Sequence, residues 1–356
     1  MIVQRYLMRE VYLSTALVLS ALLMLFGFFD LVNELNDLGR GDYTLRKVLW
    51  FVILSVPGHV YELFPVAVLI GALFALAQLG ANLELTVLRV SGLSLRRIAG
   101  YLLLIGIPFV VLTFVFGEFV VPKVERYAQQ YRLRATHSLV AQEFRSGLWV
   151  KDGRSFINVR EMLPDTSLVG VKIFEFDNNW RLSSINYAAK GAFERDGQWH
   201  LSDVTQTRFS AAGVQIQKLA DAKWRSALDP AIIDVLLVVP EQMSIANLYN
   251  YVGHLAENRQ KTTRYEIALW TKLIYPFATL VMIVLALPFA VFRARGANVS
   301  GKVFAGIMLG LAFHLMNRVS SYLGLLNDWQ PQLSAVLPAA VFLTGAMIWL
   351  WRVERV

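Results

Sequence analysis

A helix needs about 20 consecutive apolar residues to cross the roughly 30 Å hydrocarbon layer of a bilayer, and this chain carries several runs of that length. Val11 to Leu31 is the first, interrupted only by Asp30. Trp50 to Ala81 is too long for one ordinary span and contains Pro57, His59 and Glu62. It predicts an interfacial approach helix followed by a span from about Leu63 to Leu79. Ile98 to Phe119, Leu273 to Phe292, Val303 to Leu326 and Leu333 to Trp351 bring the count to six, three before a polar middle region and three after it. Hydrophobic residues make up 56% of the chain, above the roughly 45–50% of soluble domains, so lipid is the expected solvent.

The net charge of +8 would suit nucleic acid, anionic lipid or cytoplasmic loops, and its placement decides among them. Arg5 and Arg9 precede the first span, Arg89, Arg96 and Arg97 follow the second, Arg293, Arg295 and Lys302 follow the fourth, and Arg352 and Arg355 end the chain. All fall on one side, which the positive-inside rule makes cytoplasmic, with both termini there. The opposite loops hold Arg40, Arg46 and Lys47 diluted by Asp37 and Asp42, and no basic residue between Gly324 and Gln332. The positive excess thus reads as membrane topology and no nucleic-acid surface is predicted. The first apolar run exceeds a signal peptide's h-region of about 7–15 residues and lacks a small-residue cleavage site, so it is expected to stay as an anchor. With no cysteine, disulfides, thiolate nucleophiles and CxxC zinc sites are excluded.

An odd number of spans places the middle region, about Val121 to Thr263, outside the cytoplasm. Its pattern is β: the turn signals Asp152-Gly153, Asp177-Asn178-Asn179 and Asp196-Gly197 separate alternating or β-branched runs such as Val169 to Phe176 and Trp199 to Val204. Short strands at this spacing predict a small sandwich, jelly roll or open barrel. Two helical connectors flank it, Lys123 to Arg134 and Ile245 to Asn258, the second capped by Ser244 with Ile245, Leu248, Val252 and Leu255 on one face.

Few motifs point to chemistry. Gly296 to Val303 matches the G-x-x-x-x-G-K core of a phosphate-binding loop, but Val303 stands where Ser or Thr should bind magnesium, and the loop joins two membrane helices. The histidines His59, His137, His200, His254 and His314 lack metal-ligand spacing, and no G-x-S-x-G nucleophile elbow occurs. No cofactor is predicted.

The segment between the second and third spans, about residues 82–92, is more informative. Asn82 can cap a short helix through Glu84, Leu85, Leu88 and Arg89, Gly92 can end it, and Ser94 can cap the next span. It is either a plain connector or a docking stub for a cytoplasmic partner. Charges inside spans are the other signal, because burying one costs at least about 2.5–3.5 kcal/mol. Asp30 near the outer end of the first span and Arg318, beside Asn317 and His314 in the fifth, have two readings. They snorkel or pair with each other, or they line a cavity in which Arg318 grips an anionic lipid headgroup, extended by Arg132 and Arg134.

Gly117-Glu118-Phe-Val-Val-Pro122, Gln130-Tyr-Arg132, Gly147 to Gly153, Asn250-Tyr-Val252 and Arg264-Tyr265 through Trp270-Thr-Lys272 to Pro276 together resemble the permease family of the lipopolysaccharide export system (LptF/LptG), the LptG branch most. The resemblance runs the length of the chain. It implies an integral membrane α-helical fold, three plus three transmembrane helices with an inserted all-β, jellyroll-like periplasmic domain, in a Gram-negative inner membrane. The implied domains are 1–120, 121–263 and 264–356. The implied function is a permease subunit of an ABC-type exporter that extracts lipopolysaccharide and passes it to a periplasmic β-jellyroll bridge, without enzymatic activity of its own. Implied partners are a cytoplasmic ATPase dimer (LptB-like), a sibling permease (LptF-like), a bitopic periplasmic jellyroll protein (LptC-like) and a periplasmic bridge protein (LptA-like).

By the same resemblance Glu84, Leu85, Leu88 and Arg89 form the ATPase-coupling stub, and Arg132 matches a basic residue near the lipid cavity. The chain departs from the family where lysines usually end the first span: Asp30, Asn33, Glu34, Asn36 and Asp37 stand there. The expected cationic lipid contacts are therefore Arg318, Arg132, Arg134 and Arg40, with Asp30 and His314 beside them. Two other readings stay open on the residues alone: a membrane-anchored interaction protein without transport activity, and a lipid-modifying enzyme, for which no second catalytic partner to Glu34, Asp37 or Asp42 is identifiable.

Overall fold

The computed structural model describes residues 2–136, 148–162, 167–193, 198–210, 213–224, 226, 240–291 and 299–355. Six helices in it are long and apolar enough to cross a membrane: α1 (Ile2–Glu34), α2 (Leu45–Ala81), α4 (Leu95–Val115), α7 (Thr263–Val291), α8 (Val299–Leu326) and α9 (Pro331–Arg355). A short α3 (Glu84–Val90) links α2 to α4. α4 runs through a π-helical turn (Phe116–Val120) into α5 (Val121–Thr136), and α6 (Ile245–Glu257) precedes α7.

The second span differs from expectation. The predicted approach helix and span are one uninterrupted helix of 37 residues that carries Pro57 and Pro65 inside it. At 1.5 Å per residue it is about 55 Å long, well beyond the hydrocarbon layer, so one end must extend past the bilayer core. α5 accompanies it, since Tyr43, Val48 and Ala135 are buried together against Leu31. Prolines are tolerated inside membrane helices where neighbouring helices and polar side chains satisfy backbone groups, and in this stretch the Tyr275 hydroxyl of α7 donates to the Glu62 carbonyl.

α2 and α7 form the inner pair. Of their most apolar windows 78% and 67% are buried, against 6% for α1 and 17% for α8, whose remaining faces are left for lipid or a partner. Apolar burial between helices gains little in lipid, so close approach through small residues must supply dispersion contacts instead. Gly71 of α2 lies where a Cβ would meet the Thr15 backbone of α1 at 2.5 Å, and Gly310 of α8 faces Val66 of α2 just as closely.

Between the two helical blocks lies a six-stranded antiparallel meander, β1 (Leu148–Asp152), β2 (Ser155–Met162), β3 (Leu168–Phe176), β4 (Leu182–Phe193), β5 (Trp199–Ser210) and β6 (Gly213–Trp224), in sequential order. Two of the predicted turns are formed. Gly153 takes φ +58° at the β1–β2 turn, and the Asp177 carboxylate accepts the backbone N–H groups of Asn179 and Arg181 at 2.8 Å. The third turn signal, Asp196-Gly197, lies outside the described residues, as do His137, Gly147, Arg293, Arg295 and Gly296.

The ladder skips one pair on every strand junction from β2 to β6, along a line through Arg160, Gly170, Ala189, Asp203 and Ala220. Gly170 and Asp203 on that line have positive φ. Inward parity changes there: Val171, Ala188 and Val204 on one side and Leu168, Trp199 and Leu201 on the other all enter one core with Ile157, Val159 and Ile173. Strict alternation puts odd and even residues on opposite faces, so this crease is what lets a single sheet gather its apolar residues into one cluster.

Candidate functional site

At the α2–α4 turn the sequence builds a rooted stub. Leu85 is buried among the bundle residues, while Leu83, Val87 and Val90 are 62%, 66% and 84% exposed at helical spacing on the opposite side. The expected N-cap is corrected: Leu83, in the left-handed region at φ +62°, precedes the helix, and the Asn82 side chain reaches Glu84 instead. A left-handed non-glycine residue costs roughly 1–2 kcal/mol, which the surrounding packing must offset. The C-terminal end follows the expectation. Gly92 at φ +94° donates to the Arg89 carbonyl and Leu93 to the Leu88 carbonyl, a Schellman closure. Ser94 then caps α4 through the Arg97 N–H.

Glu84 does not project freely. Its carboxylate accepts the Tyr6 hydroxyl of α1 at 2.8 Å, joining the stub to the first helix. Arg89 is exposed and Leu88 half-buried, so of the four predicted residues Leu85 roots the stub, Glu84 ties it and Arg89 faces outward.

The opposite ends of α1, α2 and α5 bring together two of the predicted lipid residues, Arg132 and Arg40. Arg132 donates to Glu34 at 3.0 Å and to Asp37 at 2.7 Å, and Arg40 pairs with Asp37 at 2.5 Å. Tyr43, almost fully buried, donates to Glu34 at 2.8 Å. Burial and the Glu34 carboxylate push the Tyr43 phenol up, so its neutral, donating form holds at every pH below its ordinary ionisation. The four acids and bases Glu34, Asp37, Arg40 and Arg132 carry no net charge, so the departure from a lysine-rich span end is here a closed ion network. Arg134, on the same helix, also has an interaction of its own.

A direct pair between Asp30 and Arg318, one of the arrangements the sequence leaves open, is not formed. α2 lies between α1 and α8 and supplies a partner to each: His59 meets Asp30 at 2.5 Å, and Glu62, one turn on, meets His314 at 3.5 Å and Arg318 at 3.8 Å. In the sequence His59 and Glu62 interrupt an apolar run. Their spacing of three, one helical turn inside that run, was the available signal, because charge at such a place demands a partner.

No group of three His, Asp or Glu among the described residues could hold a metal ion. Lys302, of the loop that resembles a phosphate cradle, donates to the Ala290 carbonyl at the end of α7. That contact satisfies a helix C-terminus.

Two blocks of three long apolar helices around an inserted antiparallel sheet, with a rooted stub on one face and a closed ion network on the other, define a polytopic membrane protein of the permease class. The family model for lipopolysaccharide export system permease LptF/LptG matches residues 5–352, and the chain belongs to that family. It is 31% identical to the lipopolysaccharide export system permease protein LptG of Escherichia coli K12 over 99% of this chain and 98% of that protein. Its identity to LptG of Haemophilus influenzae is 27% over the same shares. The LptF protein of E. coli K12 is 35% identical over 26% of each chain.

Proposed function

We propose that this chain is the LptG-type half of a lipopolysaccharide exporter, paired with an LptF-type permease and driven by a cytoplasmic ATPase that docks on α3. The observation that carries the docking role is the stub itself: a helix rooted by Leu85 that leaves Leu83, Val87 and Val90 exposed. A connector has no use for three apolar side chains in water, whereas a groove in a partner would bury them. Full-length similarity to proteins named LptG supports the lipid substrate and the permease pairing.

In this reading the stub face and both termini are cytoplasmic and the sheet domain, residues 121–263 with its connecting helices, is periplasmic. ATP turnover pushes α3; the push reaches α1 through Tyr6 and the bundle through Leu85. The cavity lies toward Arg318, His314 and Asp30, with Arg132, Arg134 and Arg40 at its edge. Lipid leaving it passes to the sheet domain and on to LptC-like and LptA-like jellyroll proteins.

The test is purification of the tagged chain from membranes with and without Glu84→Ala, followed by mass spectrometry of bound protein and lipid. Recovery of an ATPase, a second permease and lipopolysaccharide, with ATPase coupling weakened in the variant, is the expected result. Recovery of the chain alone, or with periplasmic proteins only, would replace export with membrane-anchored interaction.

A further inference from the structure

Two membrane segments reach the residues that begin α6, and a third helix backs one of them. The backbone N–H of Ile245, the first residue of α6, donates to the Glu118 carboxylate at 2.8 Å, beside the Ser244 side-chain cap. Glu118 reaches it from the π-helical turn between α4 and α5. Two residues before Ile245, the Met243 carbonyl accepts the ammonium of Lys272, a side chain of α7 that is 4% exposed. The same ammonium lies 5.7 Å from the centre of the Tyr61 ring of α2. Gly117 makes room for that ring, since a Cβ there would stand 2.5 Å from it. A π turn changes the direction of side chains by one residue, and here it is what aims Glu118 at α6.

The far end of α6 grips the sheet. Asn258 closes α6, its side-chain oxygen accepts the Gly153 N–H at 2.8 Å, and its carbonyl accepts Lys151 at 3.1 Å, so the β1 side of the β1–β2 turn is held. Between the two ends, Leu248, Tyr251 and Leu255 of α6 pack on Ala268, Tyr265 and Leu269 of α7. The 13 residues of α6 span roughly 20 Å. A two-helix hairpin with an apolar seam and charged or hydrogen-bonded clamps at base and tip cannot change length and resists bending.

We infer that α6 and the first turns of α7 form a rigid bracket that sets the position of the sheet domain on the membrane bundle, with Glu118 and Lys272 as its base and Asn258 as its tip. Movement of α2, α4 or α7 is then delivered to the β1–β2 hairpin, and these three side chains are positioning residues for lipid transfer. The transfer role rests on the exporter reading; the bracket does not.

The chain has no cysteine, so a label pair introduced by Lys172→Cys on β3 and Leu326→Cys at the end of α8 is unique. Double electron–electron resonance on the assembled complex should give a narrow distance distribution that broadens in Asn258→Ala and in Glu118→Ala. Glu118→Gln, which keeps an acceptor for Ile245, should restore it, and a control pair within the bundle, Met347→Cys on α9 with Leu326→Cys, should not change. In vesicles, Asn258→Ala should keep its ATPase rate while lipopolysaccharide delivered per ATP falls roughly 2- to 30-fold, the range seen when a coupling element is loosened. An unchanged β3–α8 distribution in both Ala variants overturns the bracket. Broadening with undiminished delivery overturns its part in transfer. If the unaltered complex delivers no lipid, the exporter reading fails and the distance measurement still decides the bracket.

Discussion

Replacing Arg132 with Ala tests whether the ion network at the outer ends of α1, α2 and α5 is structural. The substitution leaves Glu34, 8% exposed, and Asp37 facing each other without the cation between them. Removing one partner of a buried pair costs about 3–5 kcal/mol. The Arg132 side chain is 35% exposed, so water takes up part of the lost interaction, and we expect about 2–3 kcal/mol. Membrane proteins of this size unfold irreversibly, which makes a rate the proper measure. At about 1.4 kcal/mol per factor of ten, the half-life of the folded protein in detergent at fixed temperature should fall roughly 30- to 150-fold if the loss falls on unfolding. Glu34→Gln keeps an acceptor for the Tyr43 hydroxyl but removes one charge. Arg132→Ala combined with Glu34→Gln should therefore recover about 1–2 kcal/mol relative to additive behaviour. Size-exclusion recovery after heating would measure all four proteins. Additive losses, or an Arg132→Ala protein as long-lived as the parent, would refute the network and return Arg132 to a purely lipid-facing role.

Other expectations follow from the same structure. Gly71→Ala must push its methyl into the Thr15 backbone and should destabilise by about 1–3 kcal/mol, whereas Gly345→Ala meets nothing within 4 Å and should stay within about 0.5 kcal/mol in the same heating assay. Tyr6→Phe removes the hydroxyl that holds Glu84; ATP hydrolysis by the assembled complex should continue while lipid delivered per ATP drops, and unchanged delivery would dissociate α1 from the stub. Val87→Glu places a charge on the exposed apolar face of α3 without touching its buried root, so the folded permease should be recovered with its ATPase lost. Retention of that ATPase in pull-down would move the docking surface elsewhere.

What the sequence made legible divides along physical lines. The six spans, the β insertion and the caps at Ser94 and Ser244 depend on run length, alternation and local hydrogen bonding, all of which are written within a few residues of where they act. The continuity of α2 was not legible, because Pro57 breaks a helix only when nothing nearby satisfies the groups it frees, and that depends on neighbours distant in sequence. The same limit hid the partners of the charged residues. Asp30 finds His59 and Arg318 finds Glu62 only once α2 passes between α1 and α8. Glu118 and Lys272 sat in motifs that carried the family resemblance, yet their common target at Met243 to Ile245 lies well over 100 residues from Glu118.

That pairing changes how the cationic residues can act on a lipid. Arg132, Arg40 and Arg318 each face at least one carboxylate in this structure. A lipid phosphate reaching any of them must displace that acid. For Arg132 two acids would be displaced, one of them nearly buried, and burial of an unpaired carboxylate is costly. For Arg318 the exchange is easy: its side chain is 65% exposed, the Glu62 oxygen is 3.8 Å away, and His314 stands ready to keep Glu62 partnered. A bidentate guanidinium–phosphate contact is stronger than so long an ion pair. Between Arg132 and Arg318, Arg318 is therefore the one whose charge a phosphate can claim without opening the helix bundle, and Arg132 can join it only in a state in which α1 and α5 have moved apart.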